Sequence, residues 1–431
     1  MKSHHTIRRT ALPIVVALLL AGCSSDKQSS STGAATESTL PATETSSIDR
    51  TPAGTPSADT SPGDTSTAET TPTDATNDTT SAAITTSAAG SLKDVCPATI
   101  SIQTDWYPSA ERGPLFQLLG STFEVNKDKK IISGPLIAHD GSDTGVKIEI
   151  RSGGPAIGFS PVTAQMYTDT SITFGFTSHD SAANDYGKLP TLSVIAPFEK
   201  NPQIVMWDPA TYPDVKTIAD LGKKGVTINV FPGGPWQQIL TKQGIVPASS
   251  WDGSFDGTPA RFVAEGGKLA QQGFASAEPY EYSNLKEWGK PVAYQLVYDA
   301  GVRFYSQPLG IRTGDLDKLR PCLKKFVPIV QQSTVDYLND PVEANKKIVD
   351  MLDTLKEVVY STGEAEFAVK AMKDLGLISN GPDSTIGNFD LARVQEGIDQ
   401  MVTAGIAGVP SDLKADQLAT NEFIDPTIGL K

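Results

Sequence analysis

The rhythm of hydrophobic and polar positions changes three times along this 431-residue chain. An unbroken apolar run over 11–21, rich in Leu, Val and Ile, gives way to about seventy residues without an aromatic side chain. Across 24–93 the large aliphatic residues are Leu40, Ile48, Ile84 and Leu92, too few to offset the entropy of ordering the stretch. From residue 94 onward short apolar or alternating runs recur between helical spacings. Period-two or continuous apolar runs predict strands over 99–103, 146–150, 172–176, 191–196, 204–207, 226–230, 293–297 and 302–305, with a helix over 162–167. Beyond residue 315 the period lengthens. Leu316, Leu319, Leu323, Phe326 and Val330 fall three and four apart, and Val335, Leu338, Ile348, Leu352 and Leu355 continue the stripe. Pro341 ends one helix and starts the next, where its missing N–H costs little. Strands alternating with helices predict an α/β fold, and the segment from 94 to 431 is long enough for a bilobed core.

Charge sharpens the division. The formal net charge is -14, of which residues 1–22 contribute +3 and residues 24–93 contribute -6. Lys2, Arg8 and Arg9 precede an apolar run too short to span a bilayer, the pattern of a secretory signal over 1–22. No basic tract is available for counterion release from phosphates, so nucleic acid is not an expected partner. The acidic remainder suits an exported, soluble monomer.

Leu20-Ala21-Gly22-Cys23 resembles the lipobox of bacterial lipoproteins. That resemblance implies removal of 1–22, lipidation of Cys23, and anchoring on the outer face of a bacterial cell membrane. Several acyl chains, at about 0.8 kcal/mol per buried methylene, hold durably where one does not. Residues 23–93 then read as the lipidated Cys and a disordered Ser/Thr/Pro-rich tether with a reach of roughly 45 Å root-mean-square. Cys96 and Cys322 remain. In an oxidising compartment they read as a disulfide, with two buried free thiols as the alternative.

Thr104-Asp105-Trp106-Tyr107-Pro108, directly after the first predicted strand, resembles the substrate-binding proteins of ABC importers. The particular likeness is to the nitrate, sulfonate and thiamine-pyrimidine group, NMT1/THI5-like and SsuA-like. Ser152-Gly153-Gly154-Pro155, the strand over 172–176, the passage over 216–225 and the segment over 337–344 fit the same template in order. The resemblance implies a two-lobed type II periplasmic-binding fold: lobe one from 95–206 plus 296–431, lobe two from 207–295, with hinge crossovers near 205–208 and 293–295. It also implies a small-molecule ligand, and an ABC permease with its ATPase as partners.

In such a fold a ligand sits where strand ends and helix starts converge between the lobes. Asp105, Trp106 and Tyr107 form the first candidate loop. Two aromatics after a strand either stack on a ring or cation or anchor the first helix. Gly153-Gly154 and, in the second lobe, Gly233-Gly234 with Trp236 form turns whose amides could cradle an oxyanion, or serve only as tight turns. Ser178, His179 and Asp180 follow the strand ending at 176. Glu278 and Tyr280 sit in a second-lobe loop that closes over ligand in the resembling family. Glu278 could bind an amine or ring N–H, or pair with Lys286 or Arg303.

Catalysis finds little material. The sequence holds no His-Glu-x-x-His, Gly-x-Ser-x-Gly or Walker pattern, and beyond residue 93 the histidines are His139 and His179 alone. No metal site, cofactor or enzymatic activity is therefore expected. The aromatics favour a pyrimidine or vitamin-precursor-like ligand. The glycine turns favour an alkanesulfonate, taurine or nitrate-like anion, and a non-transport ligand-sensing lipoprotein is the remaining alternative.

Overall fold

The computed structural model describes residues 91–431. The expected leader, Cys23 and all but the end of the expected tether lie outside them. Leu92, within the expected tether, is fully buried and donates its N–H to Thr144 O at 2.9 Å.

Among the described residues twelve strands form two sheets: β1 (Thr99–Gln103), β2 (Glu124–Asn126), β3 (Ile131–Ile137), β4 (Asp143–Arg151), β5 (Phe174–Phe176), β6 (Thr191–Ile195), β7 (Gln203–Trp207), β8 (Ile228–Asn229), β9 (Trp251–Asp252), β10 (Ala270–Phe274), β11 (Ala293–Leu296) and β12 (Leu309–Arg312). The first sheet runs β2-β3-β4-β1-β5-β12-β6 and the second β11-β7-β10-β8-β9. In the first, β1 pairs in parallel with β4 and β5, so the loops after all three leave the same edge. After β6 the chain builds the second sheet, then returns as β12, antiparallel to both β5 and β6. The result is a mixed α/β protein of two lobes joined by two crossovers.

Those crossovers lie away from the expected hinges. Val205 pairs with Gln295 and Trp207 with Ala293, so the expected hinge segments are strands of one sheet hydrogen-bonded to each other. The connecting segments are 196–202 and 297–308, and β7 belongs wholly to the second lobe. Residues 302–305 are not a strand either. Val302, Phe304 and Tyr305 are buried against the helix Leu391–Ala404, which itself packs on the second-lobe helix Pro235–Lys242 and the first-lobe helix His179–Asp185. The C-terminal region assigned to lobe one therefore touches both lobes.

The expected helical stripe is present in Leu316–Asn339, which buries Leu319, Leu323, Phe326 and Val330 against the first sheet. Each such side chain is worth about 1.5–3 kcal/mol of apolar burial. Cys322 lies on the same face and is bonded to Cys96, with a sequence separation of 226. Closing so long a loop restricts the unfolded chain by about 5 kcal/mol in the entropic treatment. The unexpected β2–β3 hairpin carries Gly134-Pro135, a turn signal that the strand absorbs through a register shift between Pro135 and Ile137.

Candidate functional site

A cavity of about 230 Å³ lies between the lobes. Asp105, Trp106, Tyr107, Glu111, Tyr360 and Glu364 line it from the first lobe, and Phe231, Phe255, Gln272, Glu278 and Glu281 from the second. It shares Trp106, Tyr107, Glu281 and Glu364 with an outer vestibule of about 620 Å³ that also includes Phe159, Asp256, Lys356 and Glu357. A larger groove of about 860 Å³ is walled by first-lobe residues alone and takes no part in the cleft.

The wall is aromatic. Trp106 packs at centroid distances of 5.6 Å from Tyr107, 5.8 Å from Phe159 and 6.2 Å from Phe231, the last across the cleft. Phe231 continues to Phe255 at 4.8 Å. The Trp106 loop is held by the turn after β4. Gly153 N–H donates to Trp106 O at 2.8 Å, Gly154 N–H to Asp105 O at 3.0 Å, and Thr104 Oγ1 to Trp106 O at 2.7 Å. A Cβ at Gly153 would lie 2.1 Å from Thr104 O, and Gly154, at φ +56°, lies under the Trp106 ring. The Gly-Gly turn is thus a cradle for the aromatic loop. Its amides are already engaged and form no nest for an oxyanion.

Beneath the aromatics runs a buried polar network. Arg112 Nη2 donates to Asp105 Oδ1 at 2.5 Å and Nη1 to Ser109 Oγ at 2.8 Å, with Glu111 Oε2 at 3.4 Å. Gln307, on the second crossover, donates to Asp105 Oδ2 at 3.1 Å. Asp105 is therefore a positioning residue, with both oxygens occupied. Glu111 accepts from Ser109 and, across the lobes, from Ser276 Oγ at 2.5 Å.

Three further carboxyls face the cavity in a different condition. Glu278 accepts the Phe274 N–H at 2.6 Å, and burial, reinforced by Glu281 and Glu111, pushes its pKa up to about 8. Burial with Glu281 and Glu111 nearby raises Glu364 to about 7, and burial raises Glu281. Among the described residues none of the three has an ion-pair partner, neither Lys286 nor Arg303 pairing with Glu278. Arg112 is the one cation among the residues lining the inner cavity, and it already holds Asp105 and Glu111. Among the described residues no group of three His, Cys, Asp or Glu side chains is disposed to hold a metal ion.

Of the residues singled out from sequence, Asp105, Trp106, Tyr107 and Glu278 meet at the cavity, and Gly153 and Gly154 support it from behind. The others lie elsewhere. His179 is buried between Phe389, stacked at 5.4 Å, and Tyr305 at 5.3 Å, and burial with Arg393 nearby depresses its pKa to about 3. Ser178 and Asp180 flank it at the start of a short helix, outside the cavity wall. Gly233 and Gly234 precede the helix Pro235–Lys242 without lining the cavity, while Trp236 packs edge-on against Trp251 at 5.2 Å inside lobe two. Tyr280 faces Phe367 at 5.5 Å, closing the seam between lobes. Sequence reading missed Glu111, Phe231, Phe255, Glu281, Tyr360 and Glu364. Glu281 lies one helical turn from Glu278, a spacing that could have found it. Tyr360 and Glu364 come from a distant segment with no local mark.

No family model and no curated protein matches this chain. The solved structures it is similar to include the following three. One is the ligand-binding component of an ABC-type import system from Staphylococcus aureus with zinc bound, at 15% identity and TM-score 0.48, covering 75% of this chain and 97% of that one. Another is the alkanesulfonate-binding protein SsuA from Xanthomonas axonopodis pv. citri bound to MOPS, at 13% identity and TM-score 0.47, covering 75% and 98%. The third is a Candida albicans protein described as having the generic periplasmic binding protein fold, at 14% identity and TM-score 0.45, covering 77% and 98%.

Proposed function

We propose that this chain is the solute-binding component of an import system, exported and held on the outer face of the cell membrane by a lipid on Cys23. It captures a small organic ligand with a flat ring between its lobes and delivers it to a permease driven by an ATPase; it binds and does not catalyse. The observation that carries this reading is the aromatic cavity itself, whose walls come from both lobes and include the Trp106–Phe231 pair. A ligand seated there touches both lobes only in the closed form, and that difference in contacts is what drives closure. Bending at 196–202 and 297–308 supplies the hinge. A sulfonate, taurine or nitrate reading fits less well, because the Gly153 and Gly154 amides and the Arg112 guanidinium are already occupied. Mass spectrometry of small molecules released from the protein purified from its own host tests this directly. A stoichiometric ring-bearing ligand, absent from W106A, is the expected result. X-ray scattering that shows no compaction on adding the released molecule would overturn the cleft mechanism.

A further inference from the structure

The proposed cleft has a charge that its own residues do not balance. Arg112 is matched against Asp105 and Glu111, and Ser109, Ser276 and Gln307 donate to the remaining oxygens of that pair. Glu278, Glu281 and Glu364 are left facing the same cavity with no cation beside them. The vestibule does not correct this. Its Asp256 and Glu357 offset Lys130 and Lys356, and the Lys130 ammonium is directed to Leu355 O at 3.2 Å. Partly buried carboxylates without a counter-charge are costly, and crowding three of them compounds the cost.

The aromatic wall points to what would relieve it. The faces of Trp106, Tyr107, Phe231 and Phe255 around the cavity carry negative quadrupole, which attracts a cation lying within about 6 Å of a ring centroid.

We infer that the solute is an organic cation with a flat ring, its positive charge held between Glu281 of the second lobe and Glu364 of the first. The two carboxylates stand on facing elements, the helices Glu278–Asn284 and Thr362–Asp374, which meet across the cleft. Without a cation, burial shifts both toward their neutral forms, with repulsion from Glu281 adding to the shift of Glu364, and to the extent that they are ionised they oppose closure. A cation between them turns the same pair into an attraction that draws the lobes together, so charge both selects the solute and supplies the closing force. Glu278, deeper in the same wall, takes a ligand N–H. This inference rests on the reading of the cleft as a ligand site.

The test uses three probes with one ring and different charge: benzamidinium, benzamide and benzenesulfonate, titrated calorimetrically into the whole mature chain. Benzamidinium is expected to bind at least tenfold tighter than benzamide and benzenesulfonate not at all. E281Q and E364Q should each weaken benzamidinium by tenfold or more while leaving benzamide within about twofold and the denaturation midpoint no lower than the parent's. Benzenesulfonate binding as tightly as benzamidinium, with W106A abolishing both, would overturn the charge assignment and leave the cleft reading standing. Failure of all three probes, or binding that W106A does not alter, would overturn both.

Discussion

Ser276 of the second lobe donates its hydroxyl to Glu111 of the first at 2.5 Å, in a buried bond spanning 165 residues of sequence. Its setting gives it leverage. Glu111 also contacts Arg112, which holds the Asp105 loop, and the neighbouring Ala275 N–H donates to Pro202 O on the first crossover at 2.9 Å. Ligand loop, interlobe contact and hinge are one connected network. S276A leaves Glu111 Oε1 without its donor from the second lobe. Hydrogen bonds to charged groups are worth about 1.5–3 kcal/mol, so affinity for benzamidinium is expected to fall by about tenfold or more in calorimetry. Unchanged affinity would show that the bond does not contribute to closure.

Gly153 is expected to be intolerant of even one methyl group. The 2.1 Å approach to Thr104 O is to backbone, which cannot turn aside as a side chain can. G153A should lower unfolding stability by at least about 2 kcal/mol and displace the Trp106 ring, read as a shift in tryptophan emission. Gly187 has open space around it and serves as the control, with G187A expected within about 0.5 kcal/mol of the parent.

Two buried groups set opposite pH slopes on the stability of the unliganded protein. His179 is depressed from 6.5 to about 3, so its contribution is complete above pH 6.5 and is lost as pH falls toward 3. Glu278 is raised from 4.5 to about 8, so its contribution is complete below pH 4.5 and is lost as pH rises through 8. Denaturation midpoints collected from pH 4 to 9 should show H179F flattening the acid side and E278Q lessening the alkaline slope, to which Glu364, raised to about 7, also contributes. A single variant that flattened both sides would contradict this division.

The Cys96–Cys322 bond ties the start of β1 to the helix Leu316–Asn339. The double variant C96S/C322S should lose stability by up to about 5 kcal/mol in denaturant titrations, and reduction of the parent should reproduce the loss. A parent midpoint unaffected by reductant, with free-thiol assays confirming that the bond is broken, would remove the staple from the account.

Local pattern was enough for much of this protein. The alternation over 146–150 and the stripe through Leu319, Leu323, Phe326 and Val330 are periodicities that burial imposes on any strand or helix, and both were readable directly. Trp106 and Tyr107 stood out because two large aromatics after a strand must be covered by something. The aromatic half of the cavity was legible in this way. What local pattern could not supply was the partner of each residue. Gly153 looked like an anion nest until the fold spent its amide on the Trp106 carbonyl. His179 looked like a ligand contact until Tyr305 and Phe389 enclosed it. The hinges were misplaced because Val205 and Gln295 pair only once ninety residues between them have folded back. Glu278 was expected at the site, but that it would share the cavity with Glu281 and Glu364 as an unpaired group was invisible for the same reason. Glu278, Glu281 and Glu364 become a charged site only when two helices from different lobes meet, since electrostatic energy depends on distance in space and on desolvation. Sequence determined which faces would be buried; tertiary structure alone decided which charges would be left facing one another.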